Sequence, residues 1–212
     1  MLLMLHVYQS ATVCDHVFDH LCDHDEGRTV NRIVLFIVLM VPLAMVSAVD
    51  ASVSHVSEQC GRWTVSFDWS DIDGYGKSVS QADNEDNRVK IYTDTLTLTS
   101  DEDPVKTIKI SIMKYSKWNS SLAEHSNLMN LANSTLIKSG SCKDTRVSSG
   151  EVGGNPGMVG SGLECRNGQI MNVAVYCVDG SSLAIAPSTL AIILSTYDQD
   201  STDRLVNSIH IE

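Results

Sequence analysis

Trp63-Thr64-Val65-Ser66-Phe67-Asp68-Trp69 alternates large apolar and polar side chains without a fault. A period of two is the pattern of a strand with one face buried, and it makes this a sheet-bearing domain. Downstream, Asp71 to Asn87 mixes glycines, serines and acids with no period, and reads as a long surface loop. Within it Asp68-x-x-Asp71-x-Asp73-Gly74 has a faint calcium-loop character, but the EF-hand spacing and its closing Glu are missing, so a solvated loop is the preferred reading.

Val89 to Thr99 is rich in β-branched residues and shifts phase, from Val89 and Ile91 to Leu96 and Leu98, which predicts a bulge near Thr93-Asp94. Asp101-Glu102-Asp103-Pro104 then turns the chain. Val105 to Met113 returns with Ile108, Ile110 and Ile112 on one face and Lys109 and Ser111 on the other, completing a hairpin. Ser121-Leu122-Ala123-Glu124 is a capping box. The helix it opens carries Leu122, Leu128, Met129, Ala132, Leu136 and Ile137 towards the sheet as a core stripe, with His125 at its boundary and Gly140 as a left-handed stop.

The rest is read as an antiparallel meander. Cys142 to Val152 and Gly157 to Cys165 flank Gly153-Gly154-Asn155-Pro156; Arg166-Asn167-Gly168 leads to Gln169–Val178 and Asp179-Gly180 to Ser182–Ala186. Past Pro187 comes a buried strand, Leu190 to Thr196. Ser201 or Thr202 caps a short final helix carrying Leu205, Val206 and Ile209.

Upstream, Ile33 to Val46 is an unbroken apolar run with Arg32 before it and Val46 and Ala48 placed as a small-x-small cleavage site, the form of an export signal. An uncleaved N-terminal membrane anchor is the alternative. His16, His20 and His24 fall at i, i+4 and i+8 beside Cys14 and Cys22, a spacing suited to zinc. A start at Val30 gives a better-formed signal, however, and makes that stretch an untranslated or discarded leader. The chain therefore divides into residues 1–29 as leader, 30–48 as signal peptide, 49–60 as linker and 61–212 as a single globular domain.

From Val49 onward 13 basic and 21 acidic side chains leave a net charge of −8, which disfavours nucleic acid and anionic lipid as partners. Cys60, Cys142, Cys165 and Cys177 are an even set in an exported domain, the arithmetic of two structural disulfides. A hairpin turning at Gly153 to Pro156 brings Cys142 opposite Cys165. Cys60 with Cys177 then follows by elimination. Asn119 and Asn133 open sequons for N-glycosylation.

Lys114-Tyr115 ahead of the Ser121-Leu122 helix start, Gly153-Gly154-Asn155-Pro156-Gly157 in the meander, and Leu205-Val206-Asn207-Ser208-Ile209 at the end, taken in this order, resemble the PsbP-like fold. That resemblance covers about Trp63 to Ile211. It implies an α+β domain, a central antiparallel sheet in an α/β/α sandwich with one long helix after the first hairpin and a C-terminal helix. It also implies a role in binding larger partners and no catalytic residue; the four cysteines and the acidic loop are not hallmarks of the family.

The expected function is that of an exported, non-enzymatic domain, extracellular or in the cell envelope, which binds an envelope or surface protein and needs no cofactor. An extracellular hydrolase is the alternative, without support from a G-x-S-x-G or H-E-x-x-H motif, and with only His55, His125 and His210 after the signal. A calcium-stabilised envelope component is the third reading. Tyr75 and Trp118 fall outside the core patterns and are the candidate partner-surface residues.

Overall fold

A computed structural model describes residues 53–70, 74–86, 88–117, 121, 124–179 and 188–212. Two antiparallel sheets account for most of them. The smaller runs β1 (Val53–Cys60), β2 (Trp63–Ser70) and β10 (His210–Ile211), with β2 in the middle. The larger has seven strands: β3 (Tyr75–Asp86), β4 (Val89–Ser100), β5 (Thr107–Tyr115), β6 (Asp144–Val152), β7 (Asn155–Leu163), β8 (Met171–Cys177) and β9 (Thr189–Ser195). Their order is β3-β4-β5-β9-β8-β7-β6. Helix α1 (His125–Gly140) follows β5, and α2 (Gln199–Ser208) precedes β10.

The alternation from Trp63 to Trp69 holds: Val65, Phe67 and Trp69 are buried. Residues 53–60, expected as linker, are instead a strand paired along its length with β2. Only Val56 and Cys60 of it are buried, while apolar Val53 is exposed alongside His55, Ser57 and Gln59, so its sequence carries little amphipathic signal. The expected loop at Asp71 to Asn87 is also a strand from Tyr75 onward, paired residue for residue with β4. From Gly76 to Asp86 it is exposed on both faces, which is why no period marks it. Asp71 and Asp73 of the calcium-like stretch lie outside the described residues.

The register of β4 runs unbroken against β3 and β5, so the expected bulge at Thr93-Asp94 is absent. What changes along β4 is the side that is apolar. Leu96 and Leu98 face inward together with a carboxylate, Asp94, which is 1% exposed. The β4–β5 hairpin and the meander β6 to β9 form as expected. The strand expected at Ser182 to Ala186 lies outside the described residues.

One cluster fills the space between the two sheets: Phe67 and Trp69 from β2, Leu96 and Leu98 from β4, Ile108, Ile110 and Ile112 from β5, and Leu205 and Val206 from α2. A second lies on the opposite face of the large sheet, where Leu128, Ala132 and Leu136 of α1 pack on Met158, Val173 and Val175. The layer opposite α1 is thus a small sheet with α2 beside it, not helix alone.

The capping box does not start α1. The helix begins at His125 behind an extended Glu124 that makes no side-chain cap, while Asn127 Nδ2 donates to the Ser121 carbonyl at 2.7 Å. At the other end Ser141, not Gly140, takes the left-handed conformation, with φ 53°. Gly140 answers a different need: a Cβ there would sit 2.7 Å from Cys142 Sγ and 2.8 Å from Met171 Sδ. Ile137, expected in the stripe, is exposed. In α2 the cap is Asp198, whose carboxylate accepts from Ser201 N–H at 2.8 Å, so Ser201 and Thr202 lie inside the helix and are buried.

Candidate partner-binding face

Helix α1 packs on β6, β7 and β8. Beyond β8 the α1 core still takes in β9, where Leu190 is 1% exposed, and Ile192 and Leu194 pack against it together with Met113 and Tyr115 of β5. Among the described residues no helix packs on β4 and β3, and the side chains of this face follow directly from the register. One row runs Ser80, Thr95, Ser111, Ile192; the next, Ser78, Thr97, Lys109, Leu194; a third, Ala82, Thr93, Met113, Leu190. Strand spacing sets such rows about 4.8 Å apart across the sheet and about 6.8 Å apart along it. Thr95 Oγ1 and Ser111 Oγ share a hydrogen bond at 3.1 Å. Chemistry grades across the face, from aliphatic beside α1, through a mixed β5 carrying exposed Lys109, to hydroxyl on β4 and β3. Thr93, Thr95 and Thr97 are half-buried and Ser78 and Ser80 are exposed. The face was legible as a Thr-x-Thr-x-Thr alternation, once Leu96 and Leu98 were taken to set the inward phase.

On the other face a polar clasp joins the two sheets. The β1–β2 turn is Gly61-Arg62, with Gly61 at φ 60°, and it lies so close to β4 that a Cβ on Gly61 would be 2.3 Å from Asp94 Oδ1. Buried Asp94 accepts from Arg62 Nε at 3.0 Å and from Gln81 Nε2 at 2.6 Å, while the Arg62 guanidinium lies 5.1 Å from the Tyr92 ring centroid. Tyr75 belongs to the same clasp. Its hydroxyl donates to Glu58 Oε1 at 2.7 Å, and Lys77 pairs with the other oxygen of Glu58. Burial, then the bond to Glu58, pushes the Tyr75 phenol up to about 12. The Lys77 hydrogen bond holds the Glu58 carboxyl below its ordinary value. Tyr75 is therefore half-buried and packed on the inter-sheet core, a strut between sheets and not the exposed anchor expected of it. Trp118 and Asn119 lie outside the described residues.

Cys142 and Cys165 are joined. The β6–β7 register, Asp144 opposite Leu163 and Val152 opposite Asn155 around Gly153-Gly154, places them opposite each other two residues past the open end. Cys60 and Cys177 are free and buried, which corrects the pairing reached by elimination. They lie in different clusters, on opposite faces of the large sheet, where no disulfide can span. Burial first, with Asp94 and Asp179 respectively adding, raises each thiol to about 11. Such thiols are poor nucleophiles at neutral pH.

His55 and His210 meet on one surface, the outer face of the small sheet on either side of β2, although they come from the two ends of the domain. Each ring is held by a carboxylate, His55 Nδ1 by Asp68 at 2.9 Å and His210 Nε2 by Glu212 at 2.8 Å. His125 stands apart and exposed, at the start of α1. Asn133 is half-buried within α1, its amide oxygen accepting from Thr145 Oγ1 at 2.9 Å, unlike a sequon on a surface loop. Among the described residues no group of three or more His, Cys, Asp or Glu could hold a metal ion, and no helix is long and apolar enough to cross a membrane. The His16–His24 cluster and the Ile33–Val46 run lie outside the described residues. Compared with known proteins, the chain matches no family model and no curated sequence.

Proposed function

We propose that the chain is an exported, non-enzymatic domain that binds a cell-envelope or surface protein through the open half of its large sheet. The observation that carries this reading is the hydroxyl-rich face of β4 and β3 with mixed β5 beside it, ordered by strand register and bordered by the α1 core, which extends over β9. A hydroxyl-rich field bordered by partly buried aliphatic side chains suits a protein contact that combines apolar area with hydrogen bonds. Export is supported by the signal-like run from Ile33 to Val46 and by the Cys142–Cys165 disulfide, a bond of oxidising compartments. Kinship with the PsbP-like fold is part of the same proposal. It rests on the order of hairpin, helix, meander and final helix.

The test is capture from the envelope fraction of the native host by wild-type protein and by Thr95→Arg and Thr97→Arg, with melting temperature measured alongside. Loss of the same captured protein by both variants at unchanged melting temperature supports the reading. Equal capture by all three removes the face from the argument. Hydrolysis of an ester, peptide or glycan panel by the wild type, abolished by replacing one polar residue, would establish the hydrolase instead. Calcium recovered at stoichiometric amounts from protein purified without chelator would favour the third reading.

A further inference from the structure

The two edges of the large sheet are treated differently. Strand β6 has both α1 and α2 packed against it. Strand β3 is twelve residues long, pairs with β4 without interruption, contains no proline and is exposed from Gly76 to Asp86. Sheets normally blunt a bare edge with a short strand, a bulge, a proline or charged side chains, and of these β3 has only charges. The charges of β3 sit towards its two ends: Lys77 near one, Asp83, Glu85 and Asp86 near the other.

That arrangement is self-complementary. We propose that β3 pairs antiparallel with β3 of a second copy of this chain, about a two-fold axis through Ser80, joining two seven-stranded sheets into one. A two-fold axis perpendicular to the sheet keeps corresponding faces together, so opposed residues must lie an even number apart in sequence. Centring on Ser80 overlaps nearly the whole strand and sets Lys77 opposite Asp83 twice, Ser78 opposite Ala82 and Val79 opposite Gln81. Centring on Gln81 would set Val79 against Asp83, and centring on Val79 would leave Lys77 against Gln81. The ammonium of Lys77 has three donors, so its contact with Glu58 leaves capacity for Asp83 of the second copy. Pairing in this way also places the hydroxyl fields of the two copies side by side, since Ser78 and Ser80 border both.

Ser80 lies opposite Thr95 within its own chain and opposite itself only in the dimer. Ser80→Cys in the full chain is therefore expected to give a disulfide-linked dimer on mild oxidation, with residue 80 joined to residue 80 by mass spectrometry of the linked peptide. Ser148→Cys, exposed on the other edge strand, is expected to give none. Ser80→Lys opposes two like charges and should weaken dimerisation by about tenfold or more in sedimentation equilibrium, with the circular dichroism of the folded chain unchanged. Asp83→Lys should weaken it too. A wild-type chain that sediments as a monomer, or a dimer that is indifferent to Ser80→Lys and yields no 80–80 link, overturns the proposal. Neither outcome touches capture by the open face, which is read through Thr95 and Thr97.

Discussion

The two faces of the seven-stranded sheet are made by alternate residues of the same strands, yet one is closed over its central strands and the other is covered mainly beside α1. On the face towards the small sheet, Ile110 and Ile193 are buried, and the Trp69 and Tyr197 rings meet edge to face at 4.6 Å. On the opposite face α1 covers β6 to β8, and the aliphatic surface gives way to hydroxyls from β9 to β3. Ile110 and Ser111 are neighbours in sequence but belong to different surfaces. A strand thus writes two surfaces at once; the closed one holds the fold together, and the open one is free to be shaped by contact.

The sharpest way to break this comparison is to truncate those neighbours. Ile110→Ala should cost about 2–5 kcal/mol of unfolding free energy, because it removes a fully buried side chain and leaves a cavity. Ser111→Ala should stay within about 0.5 kcal/mol, since its partner Thr95 keeps access to water. Urea unfolding of both variants is the measurement, and equal losses would show the open half to be as tightly packed as the closed one. Replacing Cys142 and Cys165 together by alanine should lower stability by about 2–4 kcal/mol, the usual range for a lost disulfide, and reductant should then have no further effect. The loss falls on the covered end of the open-sided face.

A smaller effect is expected on the closed face at the buried carboxylate of Asp94. Asp94→Ala should cost about 1–3 kcal/mol, leaving Gln81 without its acceptor and half-exposed Arg62 to turn to water. Asp94→Asn, which keeps the volume and one acceptor, should cost less. Smallest is a pH effect. The folded thiols of Cys60 and Cys177 lie near 11, above their ordinary 9.0, so the native state holds protons that the unfolded chain releases between those values. Their stabilisation is complete below about pH 9 and declines as pH rises towards about 11. Unfolding free energies measured across that window should lose part of their slope in Cys60→Ala and Cys177→Ala, one thiol from each face.

What could be read from the sequence tracks these two surfaces. Strands with one strongly apolar face, such as Trp63–Trp69 and Ile108–Ile112, announced themselves, as did the β6–β7 turn and the cysteines it brings together. Strand β3 did not, because neither of its faces is buried, and β1 did not, because Val56 and Cys60 are its only buried side chains. The bulge expected in β4 arose from taking Val89 and Ile91 to share a face with Leu96 and Leu98. In the unbroken register they lie on opposite faces, and Asp94 can face inward because Arg62 of the β1–β2 turn and Gln81, directly opposite on β3, satisfy it. The start of α1 misled for a related reason: Ser121 and Glu124 have the spacing of a capping box, but Glu124 is itself the extended residue before the first turn. The threonines of the open face were hidden too, since they read as simple β-formers until the inward phase of β4 was known.

The small sheet takes its strands from opposite ends of the domain. Ile211 of β10 lies beside Val65 of β2, Thr64 and Glu212 exchange backbone hydrogen bonds at 2.9 and 3.0 Å, and Asp68 N–H reaches Ser208 Oγ across 140 residues of chain. Closing so long a loop on its own is entropically unfavourable, so the large sheet and α2 must first bring β10 within reach. During synthesis, β2 therefore leaves one hydrogen-bonding side unsatisfied until nearly the last described residue has emerged. Final locking of the domain is accordingly a late event, and a chain halted before β10 would present its best-formed strand as an open edge.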